Sequence, residues 1–269
     1  MIEQPRALSE WSVSQRQEIR TVLCDIDDTL TRDNRLEPSA YDALWKLHDA
    51  GYRVVPVTGR PAGWCDAIIR QWPVDAVIGE NGAFTYYLDG GVRRELYHPQ
   101  SGDPGRTRDE LQRIAERVFR EVPGTRGAKD QAFRIFDFAV DFREEPPFLT
   151  YDDAETIRHI CESEGAVAKV SSIHVNFWLG AYDKRSMVRH TMEQLWGLSL
   201  DDPSVLRTML FCGDSPNDEP MFSLLPNSFG VANVREFLEY MTSPPAFITN
   251  APHGEGFAEL VAQLLDVSV

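Results

Sequence analysis

The sequence predicts an α/β protein in which one parallel sheet is interrupted by a separate α+β module. Over residues 21–82, apolar runs that suit buried strands alternate with amphipathic segments that suit helices. The middle of the chain contains a hairpin pattern and strands of alternating polarity, and after Lys184 the strand–helix alternation returns. Because a β-α-β order implies parallel strands with right-handed crossovers, we expect one core that is split by an insertion of roughly a hundred residues.

The first half of the core is predicted from three strands and two helices. Strands are expected at residues 21–27, 52–57 and 74–78, and helices at 39–50 and 61–72. Ser39 can cap the first helix, Gly51 can end it, and Pro61 suits the first turn of the second helix. Pro56 is awkward inside a strand because it has no N–H to donate, and it indicates a bulge or an edge.

The inserted module and the second half of the core are predicted in the same way. A hairpin turn is expected at Asp89-Gly90-Gly91, because glycine pairs suit two-residue hairpin loops. In the insertion we expect helices at 104–122 and 152–165, the latter capped by Asp152 or Asp153, and strands at 133–142 and around Ser171-Ser172. After the insertion we expect helices at 185–196, 219–225 and 257–265 and strands at 208–213, 229–232 and 246–249.

The composition is that of a globular protein and restricts its partners. Of 269 residues 42% are hydrophobic, and the net charge is −15. Such a charge repels phosphate backbones and anionic lipid, which disfavours nucleic acid and membrane surfaces as partners. The chain has no apolar run of about eighteen residues, its start is polar, and its four cysteines are scattered without a CxxC pair. We therefore expect a cytoplasmic protein with reduced thiols, and the oligomeric state is not predicted.

Three aspartates stand at the end of the first predicted strand, in the stretch CDIDDTLT. In parallel α/β sheets, ligands bind beyond the carboxyl ends of the strands, and Asp25, Asp27 and Asp28 lie at such an end. Like charges this close raise one another's pKa unless a cation neutralises them, and Mg²⁺ prefers carboxylate oxygens. A solvated turn with Thr29 as a helix cap is the alternative interpretation, and Asp28 is assigned no chemistry.

Three further stretches lie at strand or helix edges. In VTGRP, the Thr58 hydroxyl and the free N–H groups of a helix start can together bind an anion, although a plain glycine turn also fits. Lys184 begins a helix where the insertion ends and can reach a phosphoryl group, although a solvated lysine also fits. In GDSPND, Asp214 and Asp218 lie four apart across a turn, so both can approach one ion.

The four motifs occur in the order DxDxT, TGR, Lys and GDxxND. In this the sequence resembles the haloacid dehalogenase-like (HAD) phosphohydrolase superfamily, and in particular its type IIB members, which are Cof-like and sucrose-phosphatase-like. The resemblance implies a Rossmann-like core, residues 1–83 and 181–269, and an inserted α+β cap of type C2, residues 84–180, that determines specificity. It covers the whole core, about 170 residues, whereas the cap matches by position and size.

By that resemblance, Asp25 is the nucleophile that forms an aspartyl-phosphate, and Asp27 is the general acid and base. Mg²⁺ would be held by Asp25, the backbone carbonyl of Asp27, Asp214 and Asp218, with Asn217 orienting their loop. The phosphoryl oxygens would be held by Thr58, Lys184 and the backbone amides of Gly59 and Arg60. A carboxylate that attacks a phosphate brings two anions together, so cations must neutralise the developing charge.

The choice of substrate is expected to lie in the cap, which would close over the site and exclude water. If residues 173–179 form a strand, His174, Asn176 and Trp178 share one face, and a polar and aromatic face can contact a sugar. An exposed strand face, with the alternate residues packed inward, is the other interpretation. Asn81 follows the third predicted strand and is expected near the cleft.

Together these features predict a Mg²⁺-dependent phosphatase that acts on small phosphate monoesters, with sugar phosphates favoured. Two alternatives remain open at this point: a phosphomutase of the phosphomannomutase kind, and a non-catalytic binding protein on the same scaffold. A small phosphorylated substrate is the expected partner. The specific substrate rests on fold analogy alone.

Overall fold

The computed structural model describes residues 4–171 and 173–266. Its strands are, in chain order, β1 (Arg6–Ala7), β2 (Thr21–Cys24), β3 (Thr31–Arg32), β4 (Arg35–Leu36), β5 (Arg53–Pro56), β6 (Ala76–Gly79), β7 (Phe84–Asp89), β8 (Val92–Tyr97), β9 (Arg126–Gly127), β10 (Asp137–Asp141), β11 (Val167–Val170), β12 (His174–Trp178), β13 (Met209–Gly213), β14 (Asn227–Gly230) and β15 (Phe247–Ile248). Its α-helices are α1 (Val13–Glu18), α2 (Pro38–Asp49), α3 (Ala62–Gln71), α4 (Pro104–Glu121), α5 (Tyr151–Ser163), α6 (Lys184–Trp196), α7 (Pro203–Arg207), α8 (Glu219–Phe222) and α9 (His253–Leu265). None of these described helices is long and apolar enough to cross a membrane.

The contacts divide the chain into two compact units. The first comprises the chain up to Gly59, Asp66–Leu96 and the chain from Asp183 onward, and the second comprises Arg60–Cys65 and Tyr97–Tyr182. The hairpin of β7 and β8 is present as predicted, and both glycines of its turn have positive φ. Its residues through Leu96 lie in the first unit, whereas the sequence assigned them to the cap.

The first unit is built on a six-stranded sheet in the order β1-β15-β14-β13-β2-β5, in which every pair of neighbours is parallel. This confirms the predicted α/β class. Cys24 pairs with Cys212 on one side and Pro56 on the other, so the carboxyl ends of β13, β2 and β5 are level. The central strands are buried along their length, as expected for parallel strands that helices cover on both faces.

The N-terminal segment packs on this unit. The strand β1 pairs with β15 at the edge of the sheet. Trp11 is 1% exposed, its ring meets Phe229 edge-on at 4.7 Å between centroids, and its indole N–H donates to Asn227 Oδ1 at 3.2 Å. A buried tryptophan needs such a partner for its N–H, so this segment is part of the core.

Several local predictions are corrected by the backbone. Helix α2 begins at Pro38 with Glu37 as its N-cap, so Ser39 is a residue of the first turn instead of the cap. Thr150 caps α5, and Asp153 returns a hydrogen bond to it, so neither predicted aspartate is itself the cap. Pro56 is accommodated as the last residue of β5, and the following Val57 N–H donates to the Cys24 carbonyl at 2.8 Å.

The second unit is an antiparallel sheet with helices. Its strands run in the order β11-β12-β10-β9. One face of the sheet forms an apolar cluster with α4 and α5 that includes Phe138, Val175 and Phe177. The strand expected at 133–142 begins only at Asp137, because residues 131–133 form a turn of 3₁₀ helix. Of the two serines between β11 and β12, Ser172 lies outside the described residues.

Candidate active site

Two carboxylates leave the first unit's sheet at the same edge. Asp25 directly follows β2, and Asp214 directly follows the neighbouring β13. The Asp25 N–H donates to the carbonyl of Cys212 at 2.9 Å, which continues the parallel pairing by one residue. Asp25 is 3% exposed and Asp214 is 5% exposed. The strand ends therefore bring these acids together, as the family resemblance implied.

Lys184 links Asp25 of this pair to a third carboxylate, that of Asp218. Its ammonium Nζ lies 3.0 Å from Asp25 Oδ1 and 2.7 Å from Asp218 Oδ1. All three side chains are buried. The lysine is the first residue of α6, and a capping box that Asp183 forms with Ser186 fixes the start of that helix. The predicted lysine thus places its positive charge between Asp25 and Asp218, although Asp25 lies 159 positions away in the sequence.

The GDSPND stretch folds tightly around Asp218. The second oxygen of Asp218 accepts hydrogen bonds from the backbone N–H groups of Asp214 at 3.0 Å and Ser215 at 3.4 Å. A Cβ on Gly213 would lie 2.3 Å from that same oxygen, so only glycine lets the carboxylate fold back over the strand end. Asn217 is exposed, and its Oδ1 accepts from the Ser215 hydroxyl at 2.8 Å, within the turn that it was predicted to orient.

The electrostatics of the cluster favour a further cation. Burial raises the pKa of the Asp25 carboxyl to about 7; the Lys184 ammonium lowers it, and the Asp218 and Asp27 carboxylates raise it. Burial, with Asp218 and Asp25, also raises the pKa of Asp214 well above its ordinary value. Burial alone would lower the pKa of Lys184, but the two carboxylates outweigh it and hold that pKa above its usual value. Three buried acids lie together and the one ammonium contacts two of them, so a proton or a metal ion has to balance the remaining charge.

The donor set of Asp25, Asp214 and Asp218 fits a hard divalent cation. Each offers one carboxylate oxygen, and these oxygens lie within 4.8 Å of one another. A set of carboxylate oxygens without sulfur or imidazole suits Mg²⁺, Ca²⁺ or Mn²⁺. These three residues would therefore hold a divalent cation.

Thr29 is a site residue whose role the sequence analysis missed. No helix begins at this position, so the alternative of a helix cap is wrong. Its hydroxyl is fully buried and donates to Asp214 Oδ1 at 3.0 Å. The signal was the threonine of DxDxT, but its partner lies 185 residues away and could not be read from spacing. Asp27, two residues earlier, is half-buried at the same strand end.

The predicted phosphate loop lies beside Asn81. Thr58 is fully buried; its N–H donates to Ile78, and its carbonyl accepts from the Asn81 N–H at 3.1 Å. The Asn81 side chain lies over Gly59, since a Cβ there would be 3.0 Å from Asn81 Oδ1. Asn81 has a φ of 56°, which asparagine tolerates better than most residues. The first unit therefore places Asn81 against Thr58 and Gly59.

Gly82 explains how α6 comes so near this loop. It has a φ of 108°, and a Cβ at this position would lie 2.2 Å from the carbonyl oxygen of Asp183. Any side chain here would displace the residue that precedes Lys184. Gly82 is thus a second site residue that the sequence analysis did not single out, although it directly follows the predicted Asn81 in the stretch GENGA, residues 79–83.

The remaining predicted residues lie in the second unit. The Arg60 guanidinium stacks over the Trp64 ring at 4.4 Å. His174 Nε2 lies 2.9 Å from Glu144, Asn176 donates to Asp137 at 3.2 Å, and the Trp178 indole donates to the Tyr182 carbonyl at 3.2 Å. The three β12 side chains share a face as predicted, with these polar partners inside the same unit. Their role towards a substrate stays a prediction.

Comparisons with known proteins agree with this geometry. The family model of haloacid dehalogenase-like hydrolases matches residues 22–99. Among curated proteins, a phosphoglycolate phosphatase of Methanothermobacter thermautotrophicus is 26% identical over 252 residues, which cover 92% of this chain and 99% of the relative. A phosphoglycolate phosphatase of Methanoculleus marisnigri is 24% identical over 247 residues, which cover 90% of this chain and 95% of the relative.

Solved structures show the same fold. The C-terminal domain of trehalose-6-phosphate phosphatase from C. albicans superposes with a TM-score of 0.69 at 15% identity, covering 98% of this chain and 99% of that one. A HAD subclass IIB sugar phosphatase superposes with a TM-score of 0.65 at 14% identity, covering 92% and 99%. These likenesses confirm the predicted fold, and the comparisons together bear out the predicted class of enzyme, a phosphoric monoester hydrolase. The chain is similar to haloacid dehalogenase-like hydrolases, the superfamily that its four motifs predicted.

Proposed function

We propose that this chain is a Mg²⁺-dependent phosphatase that hydrolyses small phosphate monoesters through an aspartyl-phosphate on Asp25. One observation carries the proposal: three buried carboxylates cluster beyond the carboxyl ends of parallel strands, and two of them, Asp25 and Asp218, share the ammonium of Lys184. Burying charge in this way is costly for folding, so a protein that needs only a stable core gains little from it. Perturbed carboxyl groups of this kind are typical of catalytic sites.

The proposed reaction uses two aspartates in different roles. A carboxylate oxygen of Asp25 attacks phosphorus, the bond from phosphorus to the ester oxygen breaks, and Asp27 gives its proton to the departing alkoxide. Asp27 then takes a proton from a water molecule, whose oxygen attacks the phosphorus and releases phosphate from Asp25. Asp25 is buried beside a lysine and Asp27 is half-buried, and such different surroundings allow the two acids to take different roles.

The cations have a defined place in this scheme. Asp25, Asp214 and Asp218 would hold Mg²⁺, which when bound supplies neutralisation of charge on the transferring oxygens. Lys184 adds a fixed positive charge to the same cluster and holds Asp25 in place. The Thr58 hydroxyl and the backbone amides of Gly59 and Arg60 are the proposed hydrogen-bond donors to the phosphoryl group.

The proposed substrate is a small phosphorylated metabolite, with sugar phosphates as the favoured class. His174, Asn176 and Trp178 stay the predicted contacts to its hydroxyl groups. The curated relatives are named phosphoglycolate phosphatases, so a short phosphorylated acid is the second class to test. The cytoplasm stays the proposed location, and the four free cysteines support a reducing compartment.

The proposal is tested by phosphate release from a panel of sugar phosphates, phosphoglycolate, nucleotides and aryl phosphates, with and without Mg²⁺. Wild-type protein should release phosphate only with the metal, and Asp25→Asn should release none. The matched control is Asp33→Asn, an exposed acid at positive φ that asparagine tolerates, which should keep full activity.

Two outcomes would favour the alternatives. Isomerisation of a hexose phosphate that requires a bisphosphate activator, with little phosphate released, would indicate a mutase. Binding of a phosphate ester without turnover, unchanged in Asp25→Asn, would indicate a binding protein.

A further inference from the structure

We propose that Asn233 and His253 are positioning residues for Asp27. We call these two side chains the clamp. They hold the turn that carries Asp27 by contacting the backbone of Asp28. The proposal rests on the proposed function, because it assigns the clamp an effect on the proton that Asp27 delivers. Both residues lie more than 200 positions from Asp28 in sequence, in the first unit.

Both members of the clamp converge on one backbone atom. Asn233 Nδ2 donates to the carbonyl oxygen of Asp28 at 3.1 Å, and His253 Nδ1 lies 3.0 Å from the same oxygen. A carbonyl oxygen only accepts, so Nδ1 of His253 carries the proton in this contact. Asn233 Oδ1 also accepts from the His253 backbone N–H at 3.0 Å, which ties the two members together.

The opposite side of Asp28 is held by Thr31. The Asp28 N–H donates to Thr31 Oγ1 at 3.0 Å, and that hydroxyl donates to the Ile26 carbonyl at 3.3 Å. The peptide planes before and after Asp28 are therefore both fixed by side chains. The plane before it contains the carbonyl of Asp27, so the backbone that aims the Asp27 side chain is fixed from two directions.

The turn has to be held because its backbone is strained. Asp28 has a φ of 56° and His253 a φ of 53°, a region that non-glycine residues seldom adopt. Strained residues persist only where their surroundings hold them, and they cluster at active sites. Here two such residues, Asp28 and His253, are joined by one hydrogen bond, and Asp28 is next to the proposed general acid. The strain is therefore consistent with a role in positioning that acid.

The mechanism itself supplies a test that separates positioning from general support of the fold. An alkoxide leaves only when it receives a proton, whereas p-nitrophenolate leaves without one. If the clamp aims Asp27, its loss should slow the transfer from an alkyl phosphate much more than from an aryl phosphate. The quantity to compare is kcat/KM, since it reports on the steps through transfer of the phosphoryl group to Asp25.

The experiment measures kcat/KM of the full chain with Mg²⁺ on glycerol 2-phosphate and on p-nitrophenyl phosphate. Asn233→Ala and His253→Asn are the test variants, because asparagine tolerates the positive φ at residue 253. The matched control is Asn250→Ala. Asn250 lies in the loop before α9, and the variant loses a side-chain hydrogen bond to Glu259 of that helix. Thermal unfolding of each variant verifies that it is folded.

We expect kcat/KM for the alkyl ester to fall about 30-fold in both test variants, which is part of the roughly 10²–10⁴-fold that general acid catalysis contributes, and for the aryl ester to fall less than about 3-fold. The control should match the wild type on both esters. Equal losses on both esters in folded variants, or no loss on either, would overturn the clamp while leaving the phosphatase intact. A wild type that hydrolyses neither ester would instead overturn the proposed function, and the clamp with it.

Discussion

Replacement of Lys184 by methionine should destabilise the metal-free protein in a manner that grows with pH. The ammonium lies 3.0 Å from Asp25 and 2.7 Å from Asp218, and its side chain is 3% exposed. Burial raises the pKa of Asp25 and Lys184 lowers it, and with the lysine present the pKa is about 7. Without the lysine, the folded-state pKa of Asp25 rises still further above the value of 3.8 that it has when unfolded.

The sign and size of the effect follow from proton linkage. A carboxyl whose folded pKa is raised binds its proton more tightly when folded, so the stability that it contributes is lost as pH rises through that pKa. Each additional proton retained by the folded variant costs about 1.4 kcal/mol per pH unit. Between pH 6 and pH 8 the free energy of unfolding should fall by about 1.4 kcal/mol in the wild type, whose Asp25 loses its proton in this range, and by about 2.7 kcal/mol in Lys184→Met, a difference of about 1.4 kcal/mol. This increment is the pH-dependent part of a total loss of about 3–5 kcal/mol, the usual cost of removing one partner of a buried ion pair.

The assay is urea unfolding of both proteins in EDTA at pH 6 and pH 8. The matched control is Lys46→Met, which removes an exposed lysine paired with Asp42 at 2.7 Å and should change stability by less than about 0.5 kcal/mol at either pH. A loss in Lys184→Met that is the same at both pH values, or no loss at pH 8, would refute the electrostatic reasoning.

Three further predictions concern the metal and its surroundings. The affinity for Mg²⁺ should increase as pH rises to about 7 and then level off, because the ion displaces the proton of Asp25. Calorimetric titrations that give the same affinity from pH 5.5 to pH 8 would contradict this. Gly82→Ala should lower kcat at least about 10-fold, because its Cβ would lie 2.2 Å from the carbonyl oxygen of Asp183, the residue before Lys184. The control Gly51→Ala also has a positive φ but has open space around the new Cβ, so it should lose stability only. Thr29→Val should weaken Mg²⁺ binding about 10-fold by removing the hydrogen bond to Asp214, and an unchanged affinity would show that this bond does not orient the ligand.

The predicted elements that proved correct depend on local patterns and on one general rule. Apolar runs and glycine turns located the strands, and the carboxyl ends of parallel strands meet at one edge. For that reason Asp25 and Asp214 could be placed together, although they lie far apart in the chain. Lys184 followed from the same reasoning, since the helix that it starts returns the chain to the core after the insertion.

The contacts that were missed depend on distances that no periodicity encodes. Thr29 reaches Asp214, and Asn233 and His253 reach the backbone of Asp28, through folding of the entire first unit. The approach of Gly82 to the start of α6 is likewise visible only in three dimensions.

The most direct test of the central claim is whether a phosphoryl group becomes bonded to Asp25. Protein mixed with Mg²⁺ and an excess of p-nitrophenyl phosphate would be quenched in acid within the first turnover, digested, and mapped by mass spectrometry. The account predicts the added mass of one phosphoryl group on the peptide that contains Asp25, and none in Asp25→Asn. Turnover without a modified peptide at any time point, or a phosphoryl group on another residue, would contradict it.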